Sequence, residues 1–320
     1  MIMPICSLSR YVKVSLLFAA IALFSMQIIA GQRITTATQN EDHHVAVEAW
    51  RAARHQGLSK VDGWLTLIGL EWLKEGKNRV GSAADNDIRL TGGPVNWGSV
   101  FLENDQLHFV RADNGIRING KTLDKTRLVP DTEGEPTVVA SDTLSFHVIH
   151  RGSFGLRIKD SQAKALQDFQ GVLNYPVDTS WRIDGRFIRA AEGTSVEIVN
   201  VLGQVSESEV YGTMEFEMDG KTHSLLGLTT AGAENLWFIF ADRTNGRGTY
   251  GAGRYLYSDS MPANGRLMLD FNKAYNPPCA FNDYSTCPVP PQRNRLDLKI
   301  TAGEKDYHPE AVIKQVIPLG

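Results

Sequence analysis

From Gly63 onward, short apolar runs alternate with glycine, Asn-Gly and Asp-Gly turns, and no long helical period intervenes. Asn119-Gly120 follows Ile116-Arg117-Ile118, and Asp219-Gly220 follows the run ending at Met218. Such dipeptides accept the backbone of a tight hairpin turn. Closely spaced strands without helices between them predict an antiparallel sandwich or barrel. The expected fold is mostly β with few helices: a small sandwich over residues 63–160, then a larger antiparallel sandwich or barrel over 169–320. Strands are expected at Ser99–Leu102, Gln106–Arg111, Gly115–Ile118, Thr137–Val139, Thr143–Ile149 and Gly155–Lys159. From Arg186 on they are expected at Ser195–Leu202, Thr213–Met218, Ser224–Thr230, Leu236–Ala241, Arg254–Tyr257 and Leu267–Phe271.

The N-terminal region reads differently. Arg10 and Lys13 precede the apolar run Leu16–Phe24, and no acidic residue occurs before Glu41. This charge-then-apolar order predicts a secretory signal over residues 1–30, with Ala30-Gly31 at the cleavage site. The run from Val14 to Ala30 contains Ser15, Ser25 and Gln27 and falls short of the roughly 20 apolar residues of a membrane span. Cleavage would leave no stable transmembrane segment; retention as an anchor is the alternative. The expected location is therefore periplasmic or extracellular. Residues 31–62 read as a polar leader and a helix, Val45–Gln56, with Ala46, Ala49, Trp50 and Ala53 as its apolar stripe and Gly57 as its stop. With 33 basic against 36 acidic residues and a net charge of -3, no basic surplus exists to neutralise phosphates, so a nucleic-acid partner is not expected.

Residues 270–295 form the most unusual stretch. Pro277, Pro278, Pro288, Pro290 and Pro291 exclude a long helix or a central strand. Phe271, Tyr275, Phe281 and Tyr284 are too apolar for a solvated linker, so an ordered, packed loop is expected. Cys279 and Cys287 lie within it. In an exported chain they are candidates for a disulfide. A free pair is the first alternative; a catalytic thiol is the second, and no histidine lies nearby in sequence to activate it.

Candidate ligand-binding residues follow from strand ends. Asp242 leaves one apolar strand, Arg254 begins the next, and Asp270 and Asn272 flank Phe271 at the end of the following one. Hairpin pairing would bring these four together, with Tyr250, Tyr275 and Asn276 at the rim. An arginine between two carboxylates orients a polar ligand, or it serves as an ion-pair network that orders the Pro-rich loop. The leading expectation is binding of a small polar ligand or an envelope protein. The alternative is a hydrolase using Asp242 and Asp270. No catalytic constellation is assigned, because the chain lacks H-E-x-x-H, C-x-x-C and G-x-S-x-G motifs. Gly246-Arg247-Gly248-Thr249-Tyr250-Gly251 satisfies G-x-G-x-x-G, yet a strand rather than a helix is expected after it, so no dinucleotide site follows. No cofactor and no metal are expected.

Two resemblances add to this reading. Val80-Gly81-Ser82, Asp87-Ile88-Arg89-Leu90 and Gly115-Ile116-Arg117-Ile118-Asn119-Gly120-Lys121 resemble the forkhead-associated β-sandwich. That resemblance implies a shape. The family reads phosphothreonine through an arginine, where this chain has Ser82, and through a Ser-Arg-x-His segment that does not follow here. Trp237–Asp242, Thr249–Leu256 and the stretch from Asp270 through Pro288 look like the family known as domain of unknown function 1684. Gly63-Trp64-Leu65 and Asn78–Ser82 match its N-terminal part. This second resemblance implies an architecture and carries no activity.

Overall fold

The computed structural model describes residues 40–309 apart from residue 231. The expected signal over residues 1–30 lies outside the described residues. A helix, α1, spans residues 40–58. It extends beyond Val45–Gln56 at both ends. Leu58, only 1% exposed, anchors its last turn past Gly57.

The first strands are β1 (Leu67–Trp72), β2 (Gly76–Gly81), β3 (Ile88–Arg89), β4 (Gly98–Glu103), β5 (Gln106–Arg111), β6 (Arg117–Ile118), β7 (Lys125–Arg127), β8 (Val139–Ser141), β9 (Leu144–His150) and β10 (Phe154–Asp160). They make two five-stranded sheets, ordered β1-β10-β9-β8-β6 and β3-β2-β4-β5-β7. All neighbours are antiparallel except β2 and β3. Both sheets turn their apolar positions to one core, which includes Val100, Phe109, Ile118, Phe146 and Leu156, with Trp97 fully buried among them. A short helix, α2 (Lys164–Gln167), follows.

The remaining strands are β11 (Arg182–Arg189), β12 (Ser195–Val199), β13 (Val205–Met218), β14 (Lys221–Leu228), β15 (Trp237–Phe240), β16 (Arg254–Tyr257) and β17 (Arg266–Asp270). They form one sheet ordered β16-β15-β14-β13-β11-β17, with β12 paired to β13 beside it. The sheet curls into a half-barrel. Close approach shapes it: a Cβ at Gly185 would lie 2.6 Å from the Met214 side chain, and one at Gly212 would lie 2.5 Å from the Phe187 ring. Either substitution would force these paired strands apart.

Alternation divides the apolar residues of β14–β16 between two faces. Leu225, Phe238, Phe240 and Leu256 belong to one core. Leu226, Leu228, Ile239 and Tyr255 belong to the other. Both faces are covered by the chain that follows β17. Phe271, Leu296, Leu298, Ile300 and Ala302 close the first core. Tyr275, Cys279 and Cys287 close the second. The Pro-rich stretch is therefore packed, as its aromatic content predicts, and two faces buried explain why these strands are continuous apolar runs.

One buried group should make the fold acid-sensitive. His147 pairs across the sheet with Arg157. Burial, aided by the positive charges of Lys159 and Arg157, holds the His147 pKa down at about 4. Between pH 6.5 and 4 the unfolded chain binds a proton there that the folded chain refuses. Stability should therefore fall as the pH is lowered through that window, by no more than about 1.4 kcal/mol per pH unit, and level off below it. Urea unfolding of the wild type and His147→Gln across this range checks the expectation: the variant should show the shallower decline.

Candidate functional site

The end of β15 and the start of β16 are adjacent, with Phe240 opposite Arg254. The register places Asp242 beside Arg254. The guanidinium Nη2 donates to Asp242 Oδ2 at 2.6 Å and to the Ile300 carbonyl at 3.1 Å; Nη1 donates to the Ala302 carbonyl at 2.5 Å. Both side chains are 0% exposed. The other carboxylate oxygen accepts from the Thr244 amide and hydroxyl, and Thr244 meets Thr249 at 2.8 Å. Asn245 accepts from the Asp242 amide and donates to the Tyr250 carbonyl. The glycine-rich connection is thus folded around this carboxylate, with Gly246 and Gly248 at positive φ. Burial lowers the Arg254 pKa, while Asp242 pulls it back up.

Asp270 and Asn272 form a second network. Asp270 caps the short turn Phe271–Lys273. Its Oδ1 accepts from the Asn272 amide at 3.1 Å and side chain at 2.8 Å. Asn272 also exchanges two bonds with the Asp178 backbone. Asn276 joins a third network, where its amide donates to Glu304 Oε2 at 2.6 Å. Arg54 donates to Glu304 Oε1 at 3.0 Å and to the Asn276 carbonyl at 2.9 Å. The same guanidinium stacks over Tyr275 and Phe281. Hairpin pairing thus brings Asp242 to Arg254, whereas Asp270 meets Asn272 through the cap of a short turn, in a network separate from that pair. Alternation gives Leu267 and Leu269 to the core that Arg254 also meets through Phe240, and turns Asp270 away from it. Glu304 and Arg54 carry no sequence signal of their own; only the wrapping of the C-terminal segment brings them together.

Cys279 and Cys287 adjoin each other as free thiols. The Cys279 amide donates to Cys287 Sγ at 3.1 Å, and the Cys287 amide to Cys279 Sγ at 3.3 Å. Cys279 is partly exposed, and Cys287 is 5% exposed. Tyr250 donates to the Cys279 carbonyl at 3.1 Å, and Tyr255 to the Pro288 carbonyl at 2.8 Å. Burial pushes the Tyr250 pKa up to about 12 and the Tyr255 pKa higher still, so both hydroxyls stay protonated. From β10, Arg157 reaches Thr286 at 3.3 Å.

A cavity of about 490 Å³ opens elsewhere on the same domain, lined by Trp237, Tyr257, Leu228, Thr229, Asn235 and the β13 segment Glu207–Glu209. Leu228, Trp237 and Tyr257 occupy one row across three strands. The Trp237 and Tyr257 rings stack at 21°. Sequence reading passes over this row, because Trp237 and Tyr257 are unremarkable members of apolar strands until the register sets them side by side. Among the described residues no group of three or more His, Cys, Asp or Glu is arranged to hold a metal ion. No described helix is long and apolar enough to cross a membrane.

Residues 167–305 match a family described as protein of unknown function (DUF1684). A solution structure of an uncharacterised protein from Haloarcula marismortui is 30% identical over 43% of this chain and 78% of its own, with a TM-score of 0.37. Rad53 residues 1–466 in complex with AMP-PNP match at 10% identity and a TM-score of 0.15, covering 62% of this chain and 48% of that one. No curated protein matches the chain.

Proposed function

The chain belongs, through residues 167–305, to the DUF1684 family of proteins of unknown function, and from that premise we propose that it is an exported binding protein for a small polar ligand. The observation that carries this reading is the cavity beside Trp237 and Tyr257, of about 490 Å³. Its size falls within the range of small-molecule sites, and it combines an aromatic wall with a few polar groups, the usual composition of such sites. Ring faces suit the C–H face of a sugar or an ammonium group. The polar lining of Thr229, Thr230 and Asn235 supplies hydrogen bonds for orientation.

The alternative hydrolase reading lacks comparable support, because the Asp242 carboxylate is consumed by Arg254 and Thr244. Titration of a panel of monosaccharides, disaccharides and linear amines, followed by tryptophan fluorescence and calorimetry, tests the binding reading. At least one member should bind with Kd below about 1 mM, and Trp237→Ala should weaken it at least tenfold. A panel without any binder, or binding indifferent to Trp237→Ala, would sink the assignment.

The leader makes export part of the proposal, and an oxidising compartment would join Cys279 to Cys287 as a disulfide. N-terminal sequencing of envelope material should find a chain starting near Gly31; intact Met1 in the cytosol would contradict it. For the sandwich we propose a forkhead-associated-like shape without phosphopeptide reading. The Ser82 hydroxyl is already committed to the Gly93 and Pro94 carbonyls.

A further inference from the structure

Arg157 is buried, 5% exposed, within β10. No carboxylate forms a salt bridge with it among the described residues. Its Nε has no hydrogen-bond partner, and its guanidinium is held by Thr286 and the face of Trp64. A buried cation without a counter-charge is costly. Besides Asp131, the groups near it able to become anionic are the thiols of Cys279 and Cys287, since Thr286 immediately precedes Cys287. Of the other titratable neighbours, Lys159 and Arg151 are cations and His147 is neutral near pH 7. Asp131 is engaged by Arg151 at 2.7 Å.

We propose that Cys279 and Cys287 are a reactive dithiol that exchanges with disulfides, Cys279 as the attacking thiolate, Cys287 as the resolving thiol and Arg157 as the positioning counter-charge. Geometry assigns the roles. Cys279 is the partly exposed residue of the pair; its sulfur accepts the Cys287 amide and reaches the Ser285 carbonyl at 3.4 Å. Cys287 is buried, 5% exposed, and its sulfur lies 3.1 Å from the Cys279 amide, within reach of a mixed disulfide formed there. The Cys287 thiol and the nearby Arg157 lower the Cys279 pKa, whereas its own contact with Cys279 raises that of Cys287. A lowered and exposed thiolate is the better attacking group.

In the first step Cys279 Sγ attacks one sulfur of a substrate disulfide; that S–S bond breaks and one substrate thiolate leaves, taking a proton from solvent. In the second, Cys287 gives its proton to solvent and attacks Cys279 Sγ, releasing the other substrate thiolate, which is protonated in turn. The substrate disulfide gains two electrons and becomes two thiols. The dithiol loses two electrons and becomes the Cys279–Cys287 disulfide.

This inference is independent of the cavity at Trp237. The test uses the full chain, prereduced without oxygen, with oxidised glutathione as the probe. Wild type should lose two hydrogens and end with Cys279 joined to Cys287, read by peptide mass. Cys287→Ser should stop at a glutathione adduct on Cys279, and Cys279→Ser should react at least tenfold more slowly. In wild type, the rate of iodoacetamide alkylation at Cys279 should titrate below that of a free thiol; in Arg157→Gln its midpoint should move upward, and in Arg157→Lys, which keeps the charge, it should stay nearer the wild-type value. Equal alkylation of the two cysteines in the folded wild type would overturn the proposal. So would a disulfide that excess reduced glutathione cannot reopen, because that bond is structural.

Discussion

Replacing Arg254 with methionine should destabilise the protein by about 3–5 kcal/mol, the cost of leaving one partner of a buried ion pair uncompensated. The prediction rests on burial. Asp242 and Arg254 are both 0% exposed on their side chains, and Asp242 cannot recover water when its partner is removed. The Ile300 and Ala302 carbonyls lose their donor in the same substitution. Arg254 thus holds three pieces of chain: the end of β15, the start of β16 and the segment that closes the core. Removing both charges, as Asp242→Asn with Arg254→Met, should restore part of the loss and not all of it, since the two carbonyls stay orphaned. Urea unfolding of the two single variants and the double variant measures this. A stable Arg254→Met chain that has lost ligand binding would move these residues from scaffold to binding site.

The same pair shows what the sequence makes legible. Asp242 and Arg254 flank a glycine-rich connection between two apolar strands, and hairpin pairing alone brings them together. The strands β5 and β16 likewise fall at Gln106–Arg111 and Arg254–Tyr257, where apolar runs end at clear turn residues. β13 is less legible. It runs over Val205–Met218, beginning before the expected Thr213. Its first half, Val205-Ser206-Glu207-Ser208-Glu209, reads as a polar loop and becomes strand by pairing with β12 along Ser195–Val199. Local propensity is overridden there by a cross-strand partner. The cysteine contacts lie between these extremes. The spacing of Cys279 and Cys287 suggests their pairing, but the approach of Arg157 depends on a strand more than a hundred positions earlier. Glu304 and Arg54 lie farther apart still in sequence, 250 positions, and no local pattern anticipates contacts made by a wrapping segment.

Substituting Asn294 with leucine should cost at least about 3 kcal/mol, although Asn294 belongs to no sheet. β14 and β15 pair at Leu228 and Trp237, and beyond that point backbone groups of Leu226 and Ile239 are satisfied by the Asn294 side chain. Its Oδ1 accepts from the Leu226 amide at 2.7 Å; its Nδ2 donates to the Leu226 carbonyl at 3.1 Å and to the Ile239 carbonyl at 3.0 Å. The side-chain amide replaces a peptide unit in the ladder. Its own backbone carbonyl accepts from the Ala241 amide at 3.0 Å, fixing the Pro-rich stretch against the end of β15. Leucine has a similar volume and no polar atom, so three buried groups would lose their partner at about 1–3 kcal/mol each. Aspartate should do no better, because its carboxylate oxygen would face two carbonyls where the amide nitrogen now donates. Equilibrium unfolding supplies the magnitude. Hydrogen exchange at the Leu226 amide locates it: protection there should drop in Asn294→Leu beyond the global change in stability. Retained protection together with a loss below 1 kcal/mol would mean that the two strands close the gap without the asparagine.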